Sequence, residues 1–298
     1  ITVAFSYKKH DRVYDNALSD IHEGVFDNVK ALENEVAEIV ALGLSPEAVR
    51  PQVMQAFTRH SQEVKSAAEP LTMLSEDFLE QSTLPASPED YQVQSTLLNV
   101  GADELSSTLE SGGEDVVKTI VLGTVAGIAT AVLVDQVRGR ISGIHMDSKD
   151  PNVRKEQRKL RKLVKTGAKG AAVAAVQQSI KSKLGNINTA ASVGTRMSTL
   201  VDDVVGEFNG TFSKARAASK NIDMFEYVGG IMSTSRPFCI SMVGSRLSEE
   251  DIQNIWDGEH WAGKEPGDPF VVRGGYNCRH YWVPIEESYT IEASLSDE

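Results

Sequence analysis

The chain has 298 residues, a formal net charge of −12 and a hydrophobic fraction of 41%. This length and composition allow one large or two ordinary domains with a buried core. Its two cysteines exclude a disulfide-rich secreted scaffold.

The charge is segregated along the chain. Residues 1–115 carry 7 basic and 21 acidic side chains, residues 116–220 carry 18 and 7, and residues 221–298 carry 5 and 14. This layout favours contacts of the middle segment with neighbouring subunits or with nucleic acid over a uniformly acidic enzyme surface. Charge runs on helices are often only solvated faces, and that alternative stays open.

The acidic residues 1–115 are predicted to form a helical region. Apolar residues recur at spacings of three and four between positions 25 and 39, which places one stripe along a helix. Two later helices are predicted to begin with the same signal, an N-cap serine followed by proline, at Ser45 and Ser87. The helix that begins after Ser87 is expected to stop at Gly101.

Residues 116–220 are predicted to form an apolar and then a basic helical region. The uncharged stretch "TIVLGTVAGIATAVLV", residues 119–134, is shorter than the roughly 20 residues of a bilayer-spanning helix. We therefore expect a buried helix, with Gly123 and Gly127 as a small-residue pair that permits close contact. A membrane-active segment exposed by a conformational change is the alternative.

The basic helix that follows could bind the phosphates of packaged DNA, an anionic membrane or an acidic partner. It could equally lie against the acidic residues 1–115. Its basic residues are Arg154, Lys155, Arg158, Lys159, Arg161, Lys162 and Lys165.

Residues 221–286 are predicted to form a small α+β module, followed by an acidic tail at residues 287–298. A short strand is expected over 224–228, and Ser248 is expected to cap a helix in "RLSEEDIQNIWDG". The predicted fold class is mainly α, with a helical N-terminal two thirds and this C-terminal module.

The C-terminal module holds candidate metal ligands. Cys278 and His280 are two residues apart, and Cys239 and His260 could supply a third and a fourth ligand to a structural zinc ion. The stronger paired spacings, CxxC and HxxxH, are absent from the sequence, so buried thiols and a disulfide between the cysteines remain alternatives.

The sequence has no signature of a hydrolase, a zinc deaminase or a phosphate-cradling loop, which predicts a protein that is not an enzyme. Arg236 and Arg279 each lie close to a cysteine. We expect them to bind backbone carbonyls as structural clamps, with binding of a phosphate or a partner carboxylate as the second interpretation.

The run "FEYVGG…TSRPFC…VGSRLSEEDI…WDG…GGYNCRHYWVPI" resembles the C-terminal region of the phage Mu F-like minor head proteins, the phage head morphogenesis family. The resemblance covers about residues 198–286. The matching positions are Phe225, Tyr227, Arg236, Cys239, Gly244, Asn277, Cys278, Arg279, His280, Trp282 and Pro284. Many family members have a second cysteine where this chain has His280, an exchange that preserves zinc ligation and removes a disulfide.

The resemblance implies a virion component assembled in the host cytoplasm. Such a minor head protein would bind portal or capsid proteins, in multiple copies per particle, and act in head morphogenesis or DNA delivery. A membrane-active ejection protein and an internal head protein that contacts DNA are the alternative functions.

Overall fold

The computed structural model describes residues 6–82, 84–142, 192–231, 235–261, 264, 266–275 and 278–285. The predicted basic helix, with Arg154 to Lys165, and the acidic tail at residues 287–298 lie outside the described residues.

The fold is mainly α with a small α+β module near the C-terminus, as predicted. The first two thirds of the chain contain helices α1 (Tyr7–Ala41), α2 (Pro46–Glu63), α3 (Leu71–Gln81), α4 (Pro88–Val125), α5 (Thr130–Ile141) and α6 (Val193–Ser219). The module contains β1 (Met224–Val228), α7 (Pro237–Met242), β2 (Arg246–Ser248), α8 (Glu249–Gly258), α9 (Pro269–Val272) and β3 (Tyr281–Pro284).

The chain forms two compact units, each assembled from separate stretches. Unit 1 comprises residues 1–22, 67–104 and 201–298, and unit 2 comprises residues 23–66 and 105–200. The sequence had suggested contiguous regions that divide near residues 115, 220 and 286. The structure divides the chain differently because α1, α4 and α6 each supply residues to both units.

Local signals place the starts of the helices correctly. The side chain and backbone of Ser87 both bond to the Asp90 carboxylate, and the Asp90 backbone N–H lies 3.4 Å from the Ser87 hydroxyl. At the start of α8, the Ser248 hydroxyl accepts from the Asp251 backbone N–H and donates to the Asp251 carboxylate. Such caps satisfy backbone donors that the first helical turn leaves without partners.

The prediction that the helix after Ser87 stops at Gly101 is wrong. Helix α4 continues to Val125, and a Cβ at Gly101 would lie 2.9 Å from Val204 and 3.2 Å from Leu71. The glycine lets α4 approach its neighbours in unit 1 closely. Glycine is favoured both at the end of a helix and where two helices pack closely. Only the tertiary packing shows which of these roles Gly101 has.

The prediction of one buried helix over residues 119–134 is also wrong. Helix α4 ends at Val125 and α5 begins at Thr130, and between them Gly127 takes a left-handed conformation with φ 67°. Gly123 faces Leu133 of α5. Leu122 and Val125 are 59% and 76% exposed, so much of this apolar turn lies at the surface. None of the helices in the described part of the chain combines the length and apolar character that a membrane crossing requires.

The sheet of the C-terminal module has the strand order β2-β1-β3, with both pairs antiparallel. Tyr227 of the central strand pairs with Trp282 of β3, and Phe225 pairs with Leu247 of β2. The strand ends at Val228, and Gly229 after it has a φ of 138°, a conformation that favours glycine. The predicted strand over 224–228 is therefore confirmed.

Aromatic side chains fill the core of the module. Phe225, Tyr227, Phe270 and Trp282 are all buried, and neighbouring rings among them lie 4.6–6.1 Å apart in edge-on or tilted arrangements. Trp256 is also buried and meets the Phe238 ring edge-on at 6.2 Å. These separations are within the range of favourable aromatic pairs. The sequence clusters its tryptophans here because a small module needs large side chains to bury enough apolar area.

A buried ion pair fixes the start of α4 on α6 within unit 1. Arg216 donates a 2.7 Å hydrogen bond to the Asp90 carboxylate, and both side chains are almost completely buried. The same guanidinium also donates to Ser82 and to the Leu84 carbonyl. The capping box at Ser87 and the α6 contact therefore share one carboxylate.

We predict that Arg216→Met destabilises the protein by about 3–5 kcal/mol, because the buried Asp90 charge would lose its hydrogen-bonded cationic partner and keep, among the described residues, only the Lys220 cation at 3.8 Å. The exposed pair of Arg59 with Glu35 in unit 2 supplies the control. Arg59→Met should change the free energy of unfolding by at most about 1 kcal/mol. Urea unfolding measures both, and equal losses would contradict the importance of the buried pair.

Candidate metal centre

Three predicted ligands come together in the C-terminal module. Cys239 lies on α7, which begins at Pro237, a residue suited to the first helical position. Cys278 and His280 lie just before β3. The pairing of β3 with β1 brings this segment beside α7 in a sheet-and-helix core. We refer to Cys239, Cys278 and His280 as the Cys–Cys–His group.

The distances within the group suit three corners of a tetrahedral metal site. The two sulfurs are 3.6 Å apart, and Cys278 Sγ lies 3.6 Å from His280 Nδ1. Zinc–sulfur and zinc–nitrogen bonds of ordinary length predict tetrahedral edges of about 3.8 Å and 3.6 Å. All three ligand atoms lie within 4.8 Å of one another. This donor set fits zinc.

Two glycines shape the space around the group. A Cβ at Gly274 would lie 2.4 Å from Cys239 Sγ and 2.8 Å from Cys278 Sγ, and a Cβ at Gly229 would lie 2.8 Å from the His280 ring. Any side chain at either position would push the ligand side chains apart, so the distances within the Cys–Cys–His group require glycine at both. The His280 Nε2 atom is buried and has no hydrogen-bond partner among the described residues.

The paired thiols differ in acidity. The hydrogen bond from Cys239 lowers the pKa of the Cys278 thiol well below its ordinary value, with help from His280 and from the nearby Arg273 guanidinium. The same hydrogen bond, together with burial, raises the pKa of the Cys239 thiol. Metal ligation would displace the protons of both thiols, since zinc binds thiolates.

The structure does not bring His260 into the group. It follows α8, where its side chain is exposed, while all members of the Cys–Cys–His group are buried. The prediction of His260 as a fourth ligand is therefore wrong. Its residue type suits zinc, but the structure leaves its side chain at the surface.

The predicted motif residues have separate roles. Arg279 donates to the Asp15 carboxylate at 3.3 Å and is half-exposed, so it pairs with α1 instead of bonding to carbonyls. Arg236 lies at the N-terminus of α7. Trp282 is buried, and its carbonyl accepts a 2.7 Å hydrogen bond from Ser213 of α6. Asn277 lies outside the described residues.

Sequence reasoning missed two residues of the site. The hydroxyl of Tyr227 lies 3.7 Å from Cys239 Sγ and 3.6 Å from Cys278 Sγ. Arg273 is buried, and its guanidinium occupies the space that a Cβ at Gly206 would need. The predicted strand over 224–228 includes Tyr227, but only the tertiary structure shows which side chains its hydroxyl meets.

A second buried polar cluster lies beside β3, and it has a structural role. His10 of α1 bonds to the Asp77 carboxylate at 2.7 Å and to Asn209 of α6 at 3.1 Å. Burial opposes ionisation of Asp77, but its bonds from His10 and Lys9 outweigh burial and lower the pKa of its carboxyl. The His10 ring also packs against Tyr281. This cluster ties α1, α3 and α6 together within unit 1.

Comparisons with protein-family models, with curated proteins and with solved structures find no match for this chain. The chemistry of the Cys–Cys–His group therefore has to be argued from its own geometry.

We predict that Gly274→Ala destabilises the module, because the new methyl group would displace both cysteine sulfurs. Gly258→Ala in α8 is the matched control, since its Cβ would meet no atom within 4 Å. The control should be neutral or stabilising by up to about 1 kcal/mol. Thermal unfolding and the reactivity of the thiols toward a disulfide reagent measure both changes. Unaltered stability and thiol protection in Gly274→Ala would contradict the tight fit.

Proposed function

We propose that this chain is a non-enzymatic structural protein of a bacteriophage particle. It is a minor head protein that binds portal or capsid subunits and acts in head morphogenesis or DNA delivery. The proposal rests on the resemblance of the C-terminal module to the phage Mu F-like family. It is supported by one observation above all: the separated segments of the resemblance pack into one core.

That core joins residues far apart in the sequence. Phe225 and Tyr227 of β1, Cys239 of α7, and Cys278 and Trp282 at β3 belong to one buried cluster. Residues that form a shared core explain why a family pattern would extend over a long, interrupted stretch. Packing in this core accounts for the positions of the resemblance, and no catalytic role is needed to explain them.

The surface of unit 2 offers a contact region for a partner subunit. The turn between α4 and α5 exposes apolar side chains at Leu122, Val125 and Val132. Exposed apolar side chains that lie together typically mark sites of interaction with other proteins. We assign this turn to contacts with a portal or capsid subunit.

Particles assembled from the genome that encodes the chain provide the test. Mass spectrometry of purified particles should detect the chain at lower abundance than the major capsid protein. Val125→Glu should reduce its incorporation at least about tenfold, because a charge in a buried interface costs several kcal/mol. Val100→Glu, at another exposed position of α4, is the control and should be incorporated normally.

The proposal makes two claims, and a different result would contradict each. Absence of the wild-type chain from particles would overturn the assignment to a virion. Normal incorporation of Val125→Glu would overturn the α4–α5 turn as the contact region.

A further inference from the structure

We propose that the Cys–Cys–His group binds zinc and that the phenolate oxygen of Tyr227 is its fourth ligand. The inference concerns the chemistry of one site and is independent of whether the chain belongs to a virion. Cys239, Cys278 and His280 supply three ligand atoms, and a tetrahedral zinc site has a fourth corner to fill.

The Tyr227 hydroxyl lies at the distance from both sulfurs that the remaining corner requires. It lies 3.7 Å and 3.6 Å from the two sulfurs, and ordinary zinc–sulfur and zinc–oxygen bonds predict a tetrahedral edge of about 3.5 Å. The Tyr227 and His280 rings are nearly parallel, with an interplanar angle of 13° and centroids 5.6 Å apart. The stacking holds the two aromatic ligands side by side.

The surroundings leave this hydroxyl few other partners. Tyr227 is completely buried, and in the described structure its hydroxyl has the two sulfurs as hydrogen-bond partners. Thiols are weak hydrogen-bonding groups, so a phenol aimed between them is poorly satisfied in the absence of a metal. Phenolate oxygen does ligate metals in proteins, as it does for haem iron.

In the metal-free protein, burial raises the pKa of the Tyr227 hydroxyl well above its ordinary value, so the phenolate form would depend on bound zinc. The charge balance of the zinc-loaded centre accommodates that form. Zinc with two thiolates, one neutral imidazole and one phenolate carries a single net negative charge. Arg273 supplies one buried positive charge nearby. In the described part of the chain its guanidinium bonds to the Val271 carbonyl and the Tyr14 hydroxyl, and to no carboxylate. A buried cation needs a counter-charge, and the four-ligand centre provides it.

The fourth ligand decides what kind of centre this is. Structural zinc sites are closed by four protein ligands, whereas catalytic sites leave one position for water or substrate. With Tyr227 bound, no position is left for a substrate. The centre would then stabilise the module by joining β1, α7 and the segment before β3.

The test uses the full-length protein refolded with and without Zn²⁺. Elemental analysis should find one zinc per chain, and Cys239→Ser should lose it. Zinc binding to the wild type should produce the ultraviolet difference spectrum of tyrosinate. Tyr227→Phe should lose that spectrum and bind zinc at least about tenfold more weakly, since even indirect partners of metal ligands cost 10–100-fold.

Tyr281→Phe is the matched control. Tyr281 is a buried tyrosine of the neighbouring strand whose hydroxyl donates to Asp11 at 3.2 Å, away from the sulfurs. This variant should keep both the zinc affinity and the tyrosinate spectrum of the wild type.

Three results would overturn the proposal. The first is a wild-type chain that binds no stoichiometric zinc or forms a Cys239–Cys278 disulfide. The second is zinc binding by the wild type without a tyrosinate spectrum, a measurement that does not depend on whether any variant folds. The third is a folded Tyr227→Phe with unchanged affinity and an unchanged visible spectrum after cobalt substitution.

Discussion

The approach of two cysteine sulfurs to 3.6 Å is the contact on which the C-terminal module depends. It joins α7 to the segment before β3, across 39 positions of sequence. The module is small and irregular, so long helices or strands do not stabilise it. Its sheet has three short strands, and two of its helices have six residues or fewer. A closed cross-link between distant segments is what such modules commonly need, and a zinc ion held by four side chains would supply one.

The same segment also fixes the module to the beginning of the chain within unit 1. Tyr281 donates to Asp11, and Arg279 pairs with Asp15, both on α1. Gly210 of α6 leaves room for the Phe270 carbonyl, since a Cβ there would lie 2.1 Å from that oxygen. The strand that follows the candidate metal ligands is thus held by the sheet on one side and by helices on another. A rigid module of this kind suits a protein that makes fixed contacts in a larger assembly.

The predictions from sequence succeeded where the signal was local. Caps at Ser87 and Ser248 depend on neighbouring residues, and the strand over 224–228 was indicated by its aromatic and apolar residues followed by two glycines. The role of Gly101 could not be predicted, because a helix stop and a close packing contact both favour glycine. Tyr227 posed the same difficulty: an inward-facing tyrosine in a strand is ordinary core until the fold shows the sulfurs beside its hydroxyl. The residue types suggested that Cys239 and Cys278 lie near each other. The spacing that suits zinc could be recognised only from the distances between the ligand atoms in the structure.

The central claim is that a metal with two sulfur ligands closes the module, and X-ray absorption at the zinc edge tests it most directly. On the purified full chain, the account predicts two sulfur neighbours at about 2.3 Å and two nitrogen or oxygen neighbours at about 2.0–2.2 Å. A zinc environment made only of nitrogen and oxygen, or a correctly folded chain with no bound zinc, would contradict it.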